Sequence, residues 1–308
     1  MTDTLYPLKF EPIYQYRLWG GRRLTQFLSK PLPNNELIGE AWLLSDRKDH
    51  SNKVVEGLLK GLTLTELMMR YPKEIMGKVG NNSTYFPLLL KFLDCSEVLS
   101  VQVHPSDNQK EYIRDGDSGK TEAWVVLETN KESLIYAGLK EGTNKEDLLN
   151  SIEDKTVFDK IHSFVPKVGD AVFIKSGTVH TLSGTVVFEV QENSDVTFRL
   201  YDWERIDPKT GIPRDLQVHE AVACIDFNQV NIGPVTPVKS RKVEQSEMLF
   251  DNKHFKLWRI NSNDEFTVGF KDEPAILVCI EGKGLLEHNE GKYAISKGEV
   301  VLLQLLGS

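Results

Sequence analysis

Twice along this chain a turn built from lysine, glycine and an acidic residue runs straight into an apolar strand, and that repetition limits the fold more than any other feature. The first copy is Lys167-Val168-Gly169-Asp170 leading into Ala171-Val172-Phe173-Ile174; the second is Ser296-Lys297-Gly298-Glu299 leading into Val300-Val301-Leu302-Leu303. Glycine supplies the backbone freedom a tight reversal needs, and β-branched and apolar residues behind it read as a buried strand. The C-terminal part continues in this manner, with Phe255-Lys256-Leu257-Trp258-Arg259-Ile260, Ala275-Ile276-Leu277-Val278-Cys279-Ile280 and Gly284-Leu285-Leu286-Glu287. Turns such as Glu281-Gly282-Lys283-Gly284 punctuate these runs at the spacing of a small barrel or jelly roll. The chain is therefore expected to be mainly β, in two β-barrels of jelly-roll type.

Helical signals are few. Thr63 with Glu66, ahead of Leu67-Met68-Met69, reads as a capping box that opens a short segment over 63–76. Thr143 with Glu146, ahead of Leu148-Leu149, repeats the pattern and opens a segment over 143–164, a short helical insertion in the first β unit. A third segment, over 217–226, starts near Gln217 and carries Ala221, Val222 and Ile225. Gly233, Pro234 and Pro237 mark residues 230–239 as a linker. The expected division is a larger unit over 1–235 and a smaller one over 236–308.

The chemistry gathers in the larger unit. Gln102 and His104 are two apart in Val98-Leu99-Ser100-Val101-Gln102-Val103-His104, so a strand turns both to one face and Val101 and Val103 to the other. Glu122 opens the β-like run Glu122-Ala123-Trp124-Val125-Val126-Leu127, and His180 follows the turn Lys175-Ser176-Gly177-Thr178 after the Ala171 strand. Neighbouring strands would bring these four onto one ion. Two imidazoles, an amide and one carboxylate leave a divalent ion most of its charge, which suits a Lewis acid better than a closed thiolate site. Only the first of the two repeats continues into such a histidine; His288 of the second lies in the polar hairpin sequence His288-Asn289-Glu290-Gly291, so metal is expected in the first unit alone. Gln-x-His by itself is a common strand pattern with no metal, and it is Glu122 and His180 that raise its meaning.

Composition bounds the partners. The 308 residues carry a formal charge of −8 and no Lys/Arg-rich tract, which argues against a nucleic-acid or anionic-membrane surface and for a small-molecule partner. Cys95, Cys224 and Cys279 are odd in number, lack metal or redox spacing and lie in apolar runs, as core thiols of a reducing cytoplasm would. No leader-like or membrane-length apolar stretch is read, so a cytoplasmic location is expected.

The repeated turn-and-strand units resemble the cupin pattern. More specifically, Ser100-Val101-Gln102-Val103-His104-Pro105, Gly119-Lys120-Thr121-Glu122-Ala123-Trp124 and Asn193-Ser194-Asp195-Val196-Thr197-Phe198-Arg199 resemble the three signature stretches of type I phosphomannose isomerases. Phe10, Pro12, Leu18-Trp19-Gly20-Gly21 and Gly39-Glu40-Ala41-Trp42 are similar to that family's N-terminal pattern, and the short span between Glu122 and His180 resembles its short bacterial form. The family's longer members have Lys-Pro-Glu where Lys120-Thr121-Glu122 stands here. The resemblance implies a zinc enzyme, one Zn2+ per chain, that interconverts mannose 6-phosphate and fructose 6-phosphate through an enediol. It implies Gln102, His104, Glu122 and His180 as ligands and Arg199 as an essential arginine.

Read from the residues, alternation places Asp195, Thr197, Arg199 and Tyr201 on one strand face, where Arg199 would support developing negative charge. Lys120 is a candidate both for catalysis and for holding substrate, Ser100 a candidate for binding it, and Trp19 a sugar platform or a core ring. Lys120, Asp195, Glu192 and a water activated by the metal all qualify as the base. The alternatives are a dioxygenase-type metal cupin, for which His-x-His would be the usual opening, and a noncatalytic sugar-phosphate-binding cupin, for which no output module is visible. Oligomeric state is not legible.

Overall fold

The computed structural model describes residues 5–28, 30–33, 35–77, 84–114, 116–239, 246–269, 273–289 and 291–304. The chain is mainly β. Its centre is a pair of antiparallel sheets. The larger has six strands in the order Ala171–Ile174, Glu122–Glu128, Thr185–Glu192, Leu88–Cys95, Ile38–Leu44, Ile13–Gly21. The smaller has five, in the order Ile161–Phe164, Leu134–Leu139, His180–Ser183, Val101–Val103, Phe198–Tyr201. An apolar layer joins them: Leu93, Trp124, Val126, Ile174 and Val187 from the larger sheet meet Ile135, Ala137 and Leu182 from the smaller. Strand alternation sends the next residues of the larger sheet, among them Leu90, Phe92, Ala123, Phe188 and Val190, into a second core on its outer face.

Thr63 and Glu66 form the expected capping box: Thr63 Oγ1 accepts from the Glu66 amide at 3.1 Å, and Glu66 accepts from the Thr63 amide at 2.8 Å. The helix Leu64–Arg70 follows, Pro72 starts a second short helix, Pro72–Met76, and both lay Leu64, Leu67, Met68, Ile75 and Met76 into the outer core. The second box is displaced by one residue from the expected Thr143 and Glu146. Asn144 and Asp147 form it, because the Asn144 side chain takes the Asp147 amide at 3.0 Å and opens Lys145–Glu153. The helical expectation over 157–164 is corrected as well. Only Val157–Lys160 is helical, as one 3-10 turn, while Ile161–Phe164 pairs with Leu134–Leu139 at the sheet edge. The third helix spans Val218–Cys224 behind Gln217.

Beyond residue 235 the described strands pair as Val238–Lys239 with Ser246–Asp251 and Lys256–Ile260, as the hairpin Lys283–His288 with Gly291–Ser296, and as Ala275–Val278 with Val300–Leu303. That last strand also takes Leu8–Lys9 from the other end of the chain, with Leu8 opposite Leu302. Leu249, Phe250, Phe255, Val300 and Leu302 belong to the same outer core as Phe92 and Phe188, so one apolar cluster spans both ends of the sequence. Among the described residues no helix is long and apolar enough to cross a membrane.

Candidate metal centre and pocket

His180 and Gln102 are cross-strand partners in the smaller sheet, and Gln102 pairs on its other side with Arg199. Directly opposed residues share a face, so these three form a row about 5 Å apart at each step. Glu122 comes from the larger sheet, paired with Ile174 and Gln191. The ligand candidates thus converge across the sandwich rather than along adjoining strands of one sheet, which corrects the sequence expectation. Gly177, with φ of 86°, closes the turn before His180 and donates its amide to the His104 carbonyl at 2.8 Å, which ties the two histidine segments together.

His104 Nδ1 contacts the Val196 carbonyl and His180 Nδ1 the Thr178 carbonyl, each at 2.8 Å. A neutral ring that donates from Nδ1 keeps its lone pair on Nε2, and both Nε2 atoms face Glu122: His104 at 3.5 Å from Oε2 and His180 at 3.4 Å from Oε1. One ligand atom from each of the three residues falls within 4.8 Å of the others. All three side chains are buried. Burial, then the charge of Lys120, pushes His104 down to about 3, and burial lowers His180 too, so both are neutral donors at physiological pH. Burial opposes charge on Glu122, but Lys120 and then His104 outweigh it and hold the carboxyl well below its usual range.

Lys120 Nζ lies 2.9 Å from Glu122 Oε2 and 3.2 Å from His104 Nε2. Glu122 Oε2 nonetheless accepts no hydrogen bond of good geometry. Two imidazole nitrogens that turn their lone pairs to the same point, each approached by one side-chain nitrogen, and a carboxylate oxygen left under-satisfied in a buried site are a donor set that fits a divalent ion. Gln102 sits beside them, its Nε2 3.2 Å from His180 Nε2 and its Oε1 accepting from Ser100 at 3.2 Å. A half-turn of the amide would exchange the two ends.

Arg199 is half-buried, and its Nε is buried without a partner; no ion pair or side-chain hydrogen bond satisfies the guanidinium among the described residues. Burial, then the charge of Arg214, lowers its pKa, with Arg17 adding to the repulsion. Asp195 is exposed and lies ahead of the strand, which begins at Phe198, and the register slips between Arg199 and Tyr201. The expected common face of Asp195, Thr197, Arg199 and Tyr201 is therefore broken, although the charge of Asp195 still acts on Lys120, Arg17 and Arg199. Ser100 is buried against Gln102. Trp19 is 4% exposed and packs with Leu93, Cys95 and Trp124, as a core ring rather than a platform.

A charged row on the floor of the larger sheet was not singled out from the sequence. Trp124, Glu189, Lys91 and Trp42 are successive cross-strand partners. Lys91 Nζ lies 3.6 Å from both Glu189 and Glu40, Arg17 clasps Glu40 with Nε and Nη2 at 2.8 and 3.2 Å, and Trp124 donates to Glu189 at 2.9 Å. Burial first, and Glu122 second, raise Glu189 to about 7. The signal was a lone charge inside an apolar run, as in Leu88-Leu89-Leu90-Lys91-Phe92-Leu93 and Val186-Val187-Phe188-Glu189-Val190.

Residues 7–156 match the phosphomannose isomerase type I catalytic domain. The chain is 31% identical to mannose-6-phosphate isomerase ManA of Bacillus subtilis over 97% of its own length and 93% of the relative's. It belongs to the type I phosphomannose isomerase family. A mannose-6-phosphate isomerase of Streptococcus mutans is also 31% identical, over 96% of this chain and 92% of the relative. Among solved structures, the mannose 6-phosphate isomerase from Bacillus subtilis superposes with a TM-score of 0.87 at 30% identity, over 97% of this chain and 94% of that one. A variant of the phosphomannose isomerase from Salmonella typhimurium superposes at 0.78 with 17% identity, which speaks for the fold alone. This phosphomannose isomerase family member is thus an isomerase by descent, and its buried His-Glu-His group lies in the two-sheet half.

Proposed function

We propose that the chain is a zinc-dependent aldose–ketose isomerase that interconverts mannose 6-phosphate and fructose 6-phosphate. The observation that carries this reading is the buried convergence of His104, Glu122 and His180, beside Lys120 and in strand register with an unpartnered Arg199. The names of the relatives supply the substrate. The two-sheet half would be a jelly roll holding the ion, and the strands after residue 235 a smaller, metal-free half of the same kind.

In the forward reaction a carbon-bound proton leaves C2 of the sugar and returns at C1, while a hydroxyl proton passes from O2 to O1 through an enediol. Zinc held by His104, Glu122, His180 and Gln102 would supply positive charge to the substrate oxygens as negative charge grows there. Lys120, buried and charged, is placed to donate to the same oxygens, and burial of the pocket strengthens that interaction. Arg199 offers a planar fork free to receive the phosphate or the developing oxyanion. Lys120, Asp195, Glu192 and a water activated by the metal are the proton carriers that the sequence offered. Glu189 adds a buried carboxyl on the floor of the larger sheet, 3.6 Å from Lys91 and bonded by Trp124, whose pKa burial raises. Ser100, which donates to Gln102 Oε1, is the candidate read from sequence for binding the substrate.

A coupled assay for fructose 6-phosphate formation from mannose 6-phosphate, with elemental analysis, tests the reading. About one zinc per chain is expected, with turnover lost to a chelator and regained on adding zinc. Metal-replete protein that does not turn over the sugar phosphate overturns the isomerase assignment; full turnover by metal-free protein overturns the metal site alone.

A further inference from the structure

The C-terminal strands reach the backbone strap over residues 119–121, which carries Lys120 up to Glu122, through one turn in particular. Asn252 accepts the amides of His254 and Phe255 at 2.8 and 3.1 Å, which makes a tight turn, and Phe255 anchors that turn in the shared core. The turn presents Lys253 and His254 side by side. His254 Nδ1 lies 3.1 Å from Glu192 Oε1, and Glu192 Oε2 accepts the Thr121 amide at 2.8 Å. Lys253 Nζ lies 3.3 Å from Asp107 Oδ2, and Asp107 Oδ1 accepts the Gly119 amide at 3.0 Å. Two carboxylates therefore carry two consecutive side chains of the C-terminal half to the amides on either side of Lys120. The strap is closed by Lys120 N on the Pro105 carbonyl at 3.0 Å and by Glu192 N on the Thr121 carbonyl at 3.1 Å.

We propose that His254 is a positioning residue for the isomerisation: acting through Glu192, with Lys253 and Asp107 in support, it fixes the backbone that aims Lys120 and Glu122 into the pocket. Asp107, Glu192 and His254 lie close enough to hold an ion, but Lys253 already places a cation beside Asp107, and both amides are accounted for. The two arms are unequal. Lys253 and Asp107 are largely exposed and screened by solvent, whereas Glu192 is buried and His254 mostly so, and the second arm is the stronger. A strap held at one amide only would let Lys120 Nζ drift from Glu122 Oε2, and displacement of a reacting group by a fraction of an ångström is costly.

The proposal rests on the assignment of Lys120 and Glu122 above, so its test has a readout that needs no substrate. In the full-length chain, His254→Leu should speed amide hydrogen exchange in the peptide containing residues 119–121 several-fold while the melting temperature stays close to the parent's. Turnover should fall about tenfold, with the Michaelis constant changed less than about twofold, as for lost orientation rather than lost binding. His254→Gln, which keeps a donor for Glu192, should restore both. His254→Ala serves as the second variant should leucine disturb folding. Unchanged exchange at 119–121 and unchanged turnover in the leucine or alanine variant would overturn the proposal. A parent protein without isomerase turnover, in which His254→Leu still loosens 119–121, would instead overturn the assigned reaction and leave the clamp standing.

Discussion

Arg199 carries a full charge in a half-buried place without a counter-ion among the described residues, and a protein tolerates that chiefly where a ligand completes the pair. Arg199→Lys keeps the charge and discards the planar fork. Because Arg199 is not among the candidate metal donors, the variant's metal content should match the parent's. Turnover is expected to fall about a hundredfold, the usual cost of one well-placed donor to a developing oxyanion. Steady-state kinetics decide the role, since normal turnover with a raised Michaelis constant would make Arg199 a phosphate anchor only. Single residues of this kind were candidates before the fold: Gln102, His104, Glu122 and His180 through their spacing and residue type, Lys120 through its place two residues before Glu122, and Arg199 through strand alternation and family resemblance. Lys91, Glu189 and Glu40 were passed over, because a charge within an apolar run has meaning only once cross-strand partners put opposite charges beside it.

At the scale of elements, local chemistry and tertiary contacts divided the outcome. The Thr63 box worked as read, since all its bonds lie within four residues and no distant group is needed. Thr63→Ala should therefore destabilise the chain by about 1 kcal/mol, measured by urea unfolding with the denaturant slope unchanged, and leave zinc content alone. A cost near zero would mean the helix is held by Leu64, Leu67 and Met68 in the core and not by its cap. The run 161–164 is the opposite case. Ile161-His162-Ser163-Phe164 became a strand because the edge of Leu134–Leu139 was open to it, a partner that the local sequence does not name. The run 195–201 shortened for a related reason: a register slip against Val101–Val103 breaks the alternation on which its face was read.

For the molecule as a whole, pH gives a test of the contact through which Glu192 meets the C-terminal strands. Burial first, eased by the Thr121 amide, leaves the Glu192 carboxyl raised to about 7, while an unfolded glutamate titrates near ~4.3. Between those values the folded chain keeps a proton that the unfolded chain has released. The group's contribution to stability is thus fully present below the unfolded value and is lost as pH rises through about 7. Glu192→Gln cannot titrate, so its melting temperature relative to the parent should improve from about pH 5.5 to about pH 8 at constant ionic strength. A difference that stays constant with pH would place Glu192 at an ordinary carboxylate value.

The sequence by itself determined the β character, the strands that carry Gln102, Glu122 and Ala171, several strands near the C-terminus, the Thr63 cap and the identity of the ligand candidates. These follow from periodicity, turn chemistry and residue type, which act over a few neighbours. The tertiary structure alone decided that Glu122 faces its partners from the opposite sheet, that Lys91 and Glu189 lie in one buried charged row, that Leu8 pairs with Leu302 and that His254 reaches Glu192. Each of those contacts joins segments far apart in the chain. Their free energy comes from burial and charge pairing that exist only after the sheets have packed, so no local pattern encodes them.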